Sequence, residues 1–125
     1  MIIGIGTDIV QVSRMEAALL RRGEALARRL LTSAELAEFY QHAHPARLLA
    51  KRFAAKEAAL KAFGTGLRRG LRWRDIGVVH SADGKPQLVF DGVATTLCQP
   101  GQRSHVSLAD EQDYVVAFVI IESAS

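Results

Sequence analysis

The segment between Pro45 and Gly64 constrains the fold more than any other part of the chain. From Pro45 to Phe63 the sequence is rich in alanine and contains no glycine and no β-branched residue, so its intrinsic helix propensity is high. Proline is tolerated in the first turn of a helix, and glycine commonly ends one. The pattern predicts one long helix over Pro45–Phe63 that stops at Gly64.

The N-terminal segment predicts a strand with an unusual face. Side chains alternate along a strand, so Ile2, Gly4, Gly6 and Asp8 share one side of a strand running from Ile2 to about Val10. Two glycines leave that side nearly bare, which allows another backbone or a ligand to approach closely. The first carboxylate on this face is Asp8.

The remaining segments predict shorter elements. Ser13 to Glu16 and Thr32 to Glu35 both fit a capping box; we expect one helix from about Arg14, interrupted or ended by Gly23, and another helix up to about Gln41. Strands are predicted at Ile76–His80, 87–90, 104–108 and 114–121, with hairpins at 83–86 and 110–113 and a short helix near 92–99. This order predicts a single α+β domain over 1–125, its long helix packed on a mostly antiparallel sheet.

Composition narrows the class of protein. The chain has a formal net charge of +3 and a single cysteine, Cys98, which excludes an internal disulfide. No apolar run is long enough to span a membrane, and no signal peptide is recognisable, so we expect a cytoplasmic protein without a membrane partner. Cys98 itself is expected to be a small buried hydrophobic residue.

The arginines are distributed unevenly. They cluster at positions 14, 21, 22, 28 and 29 and again at 68, 69, 72 and 74. Such clusters suit an acidic partner, although a merely solvated surface explains them equally well. A nucleic-acid partner is disfavoured because aromatic residues do not alternate with the basic ones.

A glutamate in the long helix is out of place for a purely structural role. At about 100° per residue, one apolar arc contains Ala46, Leu49, Ala50, Phe53 and Leu60. Glu57 falls inside that arc, where burial is costly without a partner or a metal, while Arg52, Lys56 and Lys61 lie around its edges.

Structural explanations exist for both carboxylates. Glu57 can pair with Lys61 one turn later, and Asp8 can serve in a turn. Taken together, however, two oxygen ligands with few others are typical of Mg²⁺ sites that hold phosphates. Asp8 and Glu57 together therefore predict a metal site that acts on a phosphate group.

At this point the residues resemble a known family. Gly6-Thr7-Asp8 followed by Arg14, and then the run from Phe53 to Gly64, are similar to the two motifs of the phosphopantetheinyl transferases. The Gly84-Lys85-Pro86 turn and the segments 105–108 and 114–117 resemble the short bacterial branch of that family. The resemblance covers essentially the whole chain.

The resemblance implies an activity and a set of roles. It implies Mg²⁺-dependent transfer of 4′-phosphopantetheine from coenzyme A to a serine of an acidic apo-acyl carrier protein, with release of adenosine 3′,5′-bisphosphate. Asp8 and Glu57 would hold Mg²⁺, Glu57 would help to deprotonate the serine, and Lys61 would counter phosphoryl charge. The implied coenzyme contacts are Arg52, Lys61, Gly64, Gly84, Lys85, Pro86 and His105, and the implied carrier contacts are Arg14, Met15, Leu19, Arg21 and Arg22.

The resemblance to family members of this length also implies a homotrimer with active sites between its subunits. The alternative function is a non-catalytic oligomeric module that binds an acidic protein. Neither function assigns a role to the arginine-rich stretch 66–74, and His42 and His44 are expected to lie in a loop rather than to bind metal.

Overall fold

A computed structural model describes residues 1–124. Over this described range the fold consists of four α-helices and five strands, joined by two short 3-10 turns at Trp73–Asp75 and Gly92–Thr96. In chain order they are β1 (Ile2–Gln11), α1 (Val12–Arg22), α2 (Glu24–Leu30), α3 (Ser33–Gln41), α4 (Pro45–Phe63), β2 (Ile76–His80), β3 (Pro86–Phe90), β4 (Gln102–Asp110) and β5 (Tyr114–Ser123).

The strands form two antiparallel sheets. The larger sheet has the order β1-β5-β4, and β2 pairs with β3 in a separate hairpin. Helix α4 packs mainly on β1 and β5. The predicted α+β class, with the long helix on antiparallel strands, is confirmed, although the predicted single sheet is divided into two.

Helix α4 lies unusually close to β1 because of the two strand glycines. A Cβ atom built on Gly4 would lie 2.1 Å from the carbonyl oxygen of Ala62, and one on Gly6 would lie 2.1 Å from that of Ala58. Side-chain carbon atoms never approach backbone oxygens so closely. The helix therefore rests on the bare strand face that the alternation of β1 predicts.

Helix α4 has the predicted bounds, and its C-terminal glycine adopts the expected geometry. Gly64 has φ of 72°, and its N–H donates to the carbonyl of Leu60 at 2.9 Å, which is the usual left-handed helix stop. The capping box at Thr32 is also present, with both of its hydrogen bonds to Glu35 formed.

The capping box predicted at Ser13 is wrong. Helix α1 begins at Val12, directly after β1, and its N-cap Gln11 makes no side-chain capping bond. The N–H of Val12 instead donates to the carbonyl of Asp113 at 2.9 Å, so the neighbouring hairpin satisfies the helix start. Gly23, with φ of 62°, separates α1 from α2 as expected.

The predicted positions of Arg52 and Lys56 at the edge of the apolar arc are also wrong. Lys56 is 0% exposed and Arg52 is 4% exposed. Both face α3, where buried Glu35 lies against them. Their burial depends on an acidic residue from another helix, which the periodicity of α4 alone cannot reveal.

Gly6→Ala is expected to destabilise the protein by about 3 kcal/mol, the upper end of ordinary overpacking costs, because the new methyl group meets the backbone of α4. Gly77→Ala is the matched control: its methyl group meets side-chain atoms of Thr32 and Val89, which can shift, so its cost should be nearer 1 kcal/mol. Urea unfolding measures both. Equal costs would show that the close approach of α4 to β1 is not a tight constraint.

Candidate active site

Asp8 and Glu57 line the same surface cavity, which has a volume of about 330 Å³. We call it the carboxylate cavity. Asp8 comes from the glycine face of β1, and Glu57 comes from α4, one turn beyond Phe53. The cavity is lined by Asp8, Ile9, Val10, Gln11, Arg14, Met15, Ala18, Phe53 and Glu57. The structure thus brings the two carboxylates predicted from the sequence to one place.

The geometry of α4 and β1 explains this meeting. Residues 53, 57 and 61 follow at four-residue spacing and therefore share one stripe of the helix. That stripe runs along the edge of the contact with β1, so Glu57 is partly exposed rather than fully buried. The expectation that Glu57 faces the core is thus corrected: it lies at the rim, facing the cavity.

Lys61 pairs with Asp8 rather than with Glu57. Its Nζ lies 3.0 Å from Oδ1 of Asp8 and donates to the carbonyl of Thr7 at 3.0 Å. The side chains therefore do not form the Glu57–Lys61 ion pair that a purely structural role of Glu57 would require. The lysine places a positive charge at the edge of the two-carboxylate site.

The electrostatics of Glu57 reflect this arrangement. Burial raises the pKa of Glu57, and the nearby Asp8 carboxylate raises it further, while Lys61 acts in the opposite direction. Two acidic groups that disfavour each other's charge are stabilised by a cation between them. The metal-free site therefore carries an electrostatic penalty that a divalent ion would relieve.

The donor set fits Mg²⁺ rather than a softer metal. Within residues 1–124 no group of three or more His, Cys, Asp or Glu side chains is placed to hold a metal. A site with only two carboxylates cannot enclose an ion, but Mg²⁺ is commonly bound by one or two carboxylates, with water and substrate phosphates as its other ligands.

Apolar side chains form the wall behind the carboxylates. Phe53 packs edge-on against Trp73, with ring centroids 5.2 Å apart. Met15 is 7% exposed and belongs to the core. Of the residues implied to contact a carrier, Met15 thus lies behind the surface of α1, while Arg14, Arg21 and Arg22 are exposed and Leu19 is partly exposed.

Several implied coenzyme residues meet at a second cavity, on another side of α4. This arginine cavity, of about 290 Å³, is lined by Arg52, Gly84 and Pro86 together with Glu38, His42, Leu48, Lys51, His80, Leu108, Ala109 and Asp110. Arg52 Nη2 donates to Glu38 at 3.4 Å. Its buried Nε makes no hydrogen bond within residues 1–124 but lies 3.9 Å from Oε2 of Glu35.

The other implied coenzyme residues lie elsewhere. His105, on β4, pairs with Glu122 at 2.8 Å, and this hydrogen bond lowers the pKa of Glu122. Lys85 is exposed at the tip of the β2–β3 hairpin. Within one chain, the arginine cavity does not share lining residues with the carboxylate cavity.

The arginine-rich stretch borders a third cavity, of about 500 Å³. Gly64, Thr65, Arg68 and Arg69 line it on one side, and residues of the Gly92–Thr96 turn and its surroundings line it on the other. Arg72 instead holds buried Asp75 through two hydrogen bonds, of 2.8 and 3.1 Å. No pattern within the stretch 66–74 distinguishes the arginines that line the cavity from Arg72, which binds Asp75.

Comparison with known proteins identifies the family. Residues 4–119 match the model of the 4′-phosphopantetheinyl transferase superfamily. Holo-[acyl-carrier-protein] synthase from Pectobacterium carotovorum is 55% identical over 98% of both chains. The crystal structure of holo-[acyl-carrier-protein] synthase from Neisseria meningitidis has a TM-score of 0.88 and 45% identity, covering 98% of this chain and all of that one.

A third relative was crystallised with a ligand. Holo-(acyl-carrier-protein) synthase from Bacillus anthracis, in complex with CoA (3′,5′-ADP), has a TM-score of 0.82 and 33% identity over 98% of both chains. No helix within residues 1–124 has the length and apolarity needed to cross a membrane. The chain belongs to the 4′-phosphopantetheinyl transferase superfamily and, within it, to the holo-[acyl-carrier-protein] synthases.

Glu57→Gln is expected to stabilise the metal-free protein at neutral pH. Because the pKa of Glu57 is raised above its ordinary value of 4.5, the folded protein binds more protons than the unfolded chain as pH rises above that value. The free energy of unfolding of the wild type therefore falls as pH rises from 4.5 through the raised pKa of Glu57. The variant cannot ionise at this position and avoids the loss.

Urea unfolding with a chelator, at about pH 4 and about pH 8, measures the effect. The variant should be clearly more stable than wild type at the higher pH and only slightly different at the lower one. Glu16→Gln, at an exposed position of α1, is the control and should follow wild type at both. A Glu57→Gln variant that is less stable than wild type at the higher pH would contradict the electrostatic interpretation.

Proposed function

We propose that the protein catalyses Mg²⁺-dependent transfer of 4′-phosphopantetheine from coenzyme A to a serine hydroxyl of apo-acyl carrier protein, releasing adenosine 3′,5′-bisphosphate. The observation that carries the proposal is the meeting of Asp8 and Glu57 at one cavity, with Lys61 paired to Asp8, in a member of this transferase family. The family membership favours an enzyme over a non-catalytic binding module. We further propose that it acts in the cytoplasm.

Asp8 and Glu57 would hold the metal ion against the diphosphate of coenzyme A. A bound Mg²⁺ would supply neutralisation of the diphosphate and fix its orientation. Phosphoryl transfer requires mainly positioning and charge stabilisation from the protein, and two carboxylates on rigid elements provide the positioning.

The bond changes assign roles to Glu57 and Lys61. The serine oxygen forms a bond to the phosphorus that carries the pantetheine arm, and the bond from that phosphorus to the leaving adenosine 3′,5′-bisphosphate breaks. Glu57, or a water that it orients, accepts the serine proton. Lys61, whose ammonium group already lies beside Asp8, balances the negative charge that develops on the leaving phosphate.

The coenzyme's adenosine and 3′-phosphate would occupy the arginine cavity of a neighbouring subunit. Arg52, Gly84 and Pro86 gather there, with Lys85 and His105 as further contacts, while Gly64 lies near the turn after α4. Within one chain the arginine cavity and the carboxylate cavity share no lining residue, which favours a site completed by a second copy. We therefore propose active sites between the subunits of a homotrimer.

The outer face of the large sheet offers a surface for such an assembly. On β1 its apolar side chains are Ile3, Ile5 and Ile9, with Thr7 between the last two, and Phe118 on β5 pairs with Thr7. The four apolar side chains are exposed in the single chain, Ile9 to 63%. An apolar sheet face of this kind is typical of a subunit interface.

The carrier protein would bind to the basic face of α1. Arg14 lines the carboxylate cavity, Leu19 follows on the same helix, and Arg21 and Arg22 lie at its exposed end. Arginines at the rim of an interface mainly accelerate association with an acidic partner. The position of Arg14 would bring the carrier serine to the carboxylates.

Glu57→Gln and Asp8→Asn should each lower the rate of carrier modification by at least about 100-fold while the protein stays folded, because each removes a metal-binding charge. Intact-mass spectrometry of an apo-carrier protein incubated with coenzyme A and Mg²⁺ measures the transfer, and Glu16→Gln is the active control. If wild type adds no phosphopantetheine with either Mg²⁺ or Mn²⁺, the proposed function is wrong.

Mixing two inactive variants should restore activity if subunits share sites. The two single variants Glu57→Gln and Arg52→Met are unfolded, mixed and refolded together. A site is then active when one chain supplies an intact Glu57 and its neighbour supplies an intact Arg52. Random mixing in equal amounts would make about a quarter of the sites complete in a cyclic assembly. Recovery near that fraction supports shared sites, whereas no recovery from correctly assembled mixtures contradicts them.

A further inference from the structure

Glu35 and Lys56 form a buried ion pair next to the candidate site. Nζ of Lys56 lies 2.6 Å from Oε1 of Glu35, and the two residues are 0% and 1% exposed. Lys56 also donates to the carbonyl of Leu30 at the end of α2. Burial lowers the pKa of Lys56, and the Glu35 carboxylate counteracts that effect.

The Glu35 carboxylate accepts two further hydrogen bonds, both from backbone N–H groups. Its Oε1 accepts from the N–H of Thr32 at 3.0 Å, and its Oε2 accepts from the N–H of Val78 at 2.8 Å. Through this one carboxylate, α4 is joined to the start of α3 and to β2, while Lys56 reaches α2. Every polar atom of the pair has a partner, as a buried ion pair requires.

The pair lies on a different stripe of α4 from the carboxylate site. Arg52 and Lys56 are four residues apart and face α3, whereas Phe53 and Glu57 occupy the neighbouring stripe and face β1 and α1. Glu57 follows Lys56 directly, so its direction is set by the rotation of α4 about its own axis. Holding the side chain of Lys56 against Glu35 therefore also fixes the direction in which Glu57 leaves the helix.

Apolar contacts hold α4 in place without specifying a direction. They include the buried side chains of Leu48, Leu49 and Leu60 and the close approach of the carbonyl groups of Ala58 and Ala62 to the strand glycines. A buried, hydrogen-bonded ion pair adds a directional constraint on the rotation of the helix. With a helix radius of about 5–6 Å, a rotation of about 10° moves a side chain by about 1 Å, a displacement that can cost about 100-fold in rate.

We propose that the Glu35–Lys56 pair is a positioning device that sets the rotation of α4 and thereby directs Glu57 toward Asp8. Neither residue touches substrate or metal. Lys56, although adjacent to Glu57 in the sequence, is too deeply buried to meet a phosphate. The proposal rests on the proposed function, since it assigns to Glu57 the role of metal ligand.

The test removes both charges of the pair, while buried Arg52, whose Nε lies 3.9 Å from Oε2 of Glu35, keeps its ion pair with Glu38. Lys56→Met alone would leave the Glu35 carboxylate without its closest cation, so the informative protein is the double variant Lys56→Met/Glu35→Gln, which keeps an oxygen for the N–H of Val78. The control is Arg47→Met on the same helix, which removes the guanidinium bonds to the carbonyls of Glu111 and Gln112 at 2.7 and 2.6 Å. Circular dichroism and melting temperature establish that each protein is folded.

Two readouts separate positioning from mere stabilisation. The first is the split between kcat and the KM for apo-carrier, and the second is Mn²⁺ affinity measured by electron paramagnetic resonance in the presence of coenzyme A. In the folded double variant we expect kcat to fall by about 100-fold and Mn²⁺ affinity by about 10-fold or more, with little change in KM. Arg47→Met should have a lower melting temperature but an unchanged kcat, KM and Mn²⁺ affinity.

The possible failures are distinguishable. A folded double variant with wild-type kcat and Mn²⁺ affinity, or one in which only KM changes, overturns the positioning role while leaving the transferase activity in place. A wild-type protein that does not modify the carrier overturns the proposed function itself. Equal losses of kcat in the double variant and in Arg47→Met would assign the effect to general stability and also overturn the proposal.

Discussion

The site depends on the close contact between the backbone of α4 and the glycine face of β1. With Gly4 and Gly6 the helix approaches until its carbonyl groups occupy the space of strand side chains. Asp8 is the next residue on that face, so its carboxylate emerges where the contact ends and meets Glu57 at the helix rim. A bulkier face would hold the helix farther away and separate the two carboxylates.

The charges of α4 occupy two different environments, and the difference explains their roles. Lys56 is buried against Glu35 with fixed partners, which suits structural work because buried charges must be matched. Glu57 and Lys61 lie at the surface beside Asp8, where charges remain available to an ion or a phosphate. One helix thus separates the groups that hold it from the groups that react.

The sequence predicts local features well and contacts between distant segments poorly. The bounds of α4, its stop at Gly64 and the bare face of β1 follow from propensity and alternation, and all are found. The burial of Lys56 does not follow, because its partner Glu35 lies 21 residues away in another helix. The start of α1 was misplaced for a similar reason: Asp113, from the opposite end of the chain, caps it. The meeting of Asp8 with Glu57 was predictable because one carboxylate ends the bare face of a strand and the other lies on the helix face expected to pack on the sheet, and the family motifs also pair them.

The most direct test is to locate the metal. Crystals grown with coenzyme A and Mn²⁺, examined by anomalous scattering at the manganese edge, should reveal a single ion with carboxylate oxygens of both Asp8 and Glu57 at about 2.1–2.2 Å and diphosphate oxygens among its other ligands. An ion bound elsewhere, with Asp8 and Glu57 both free of metal while coenzyme A occupies the site, would contradict the assignment of the two carboxylates.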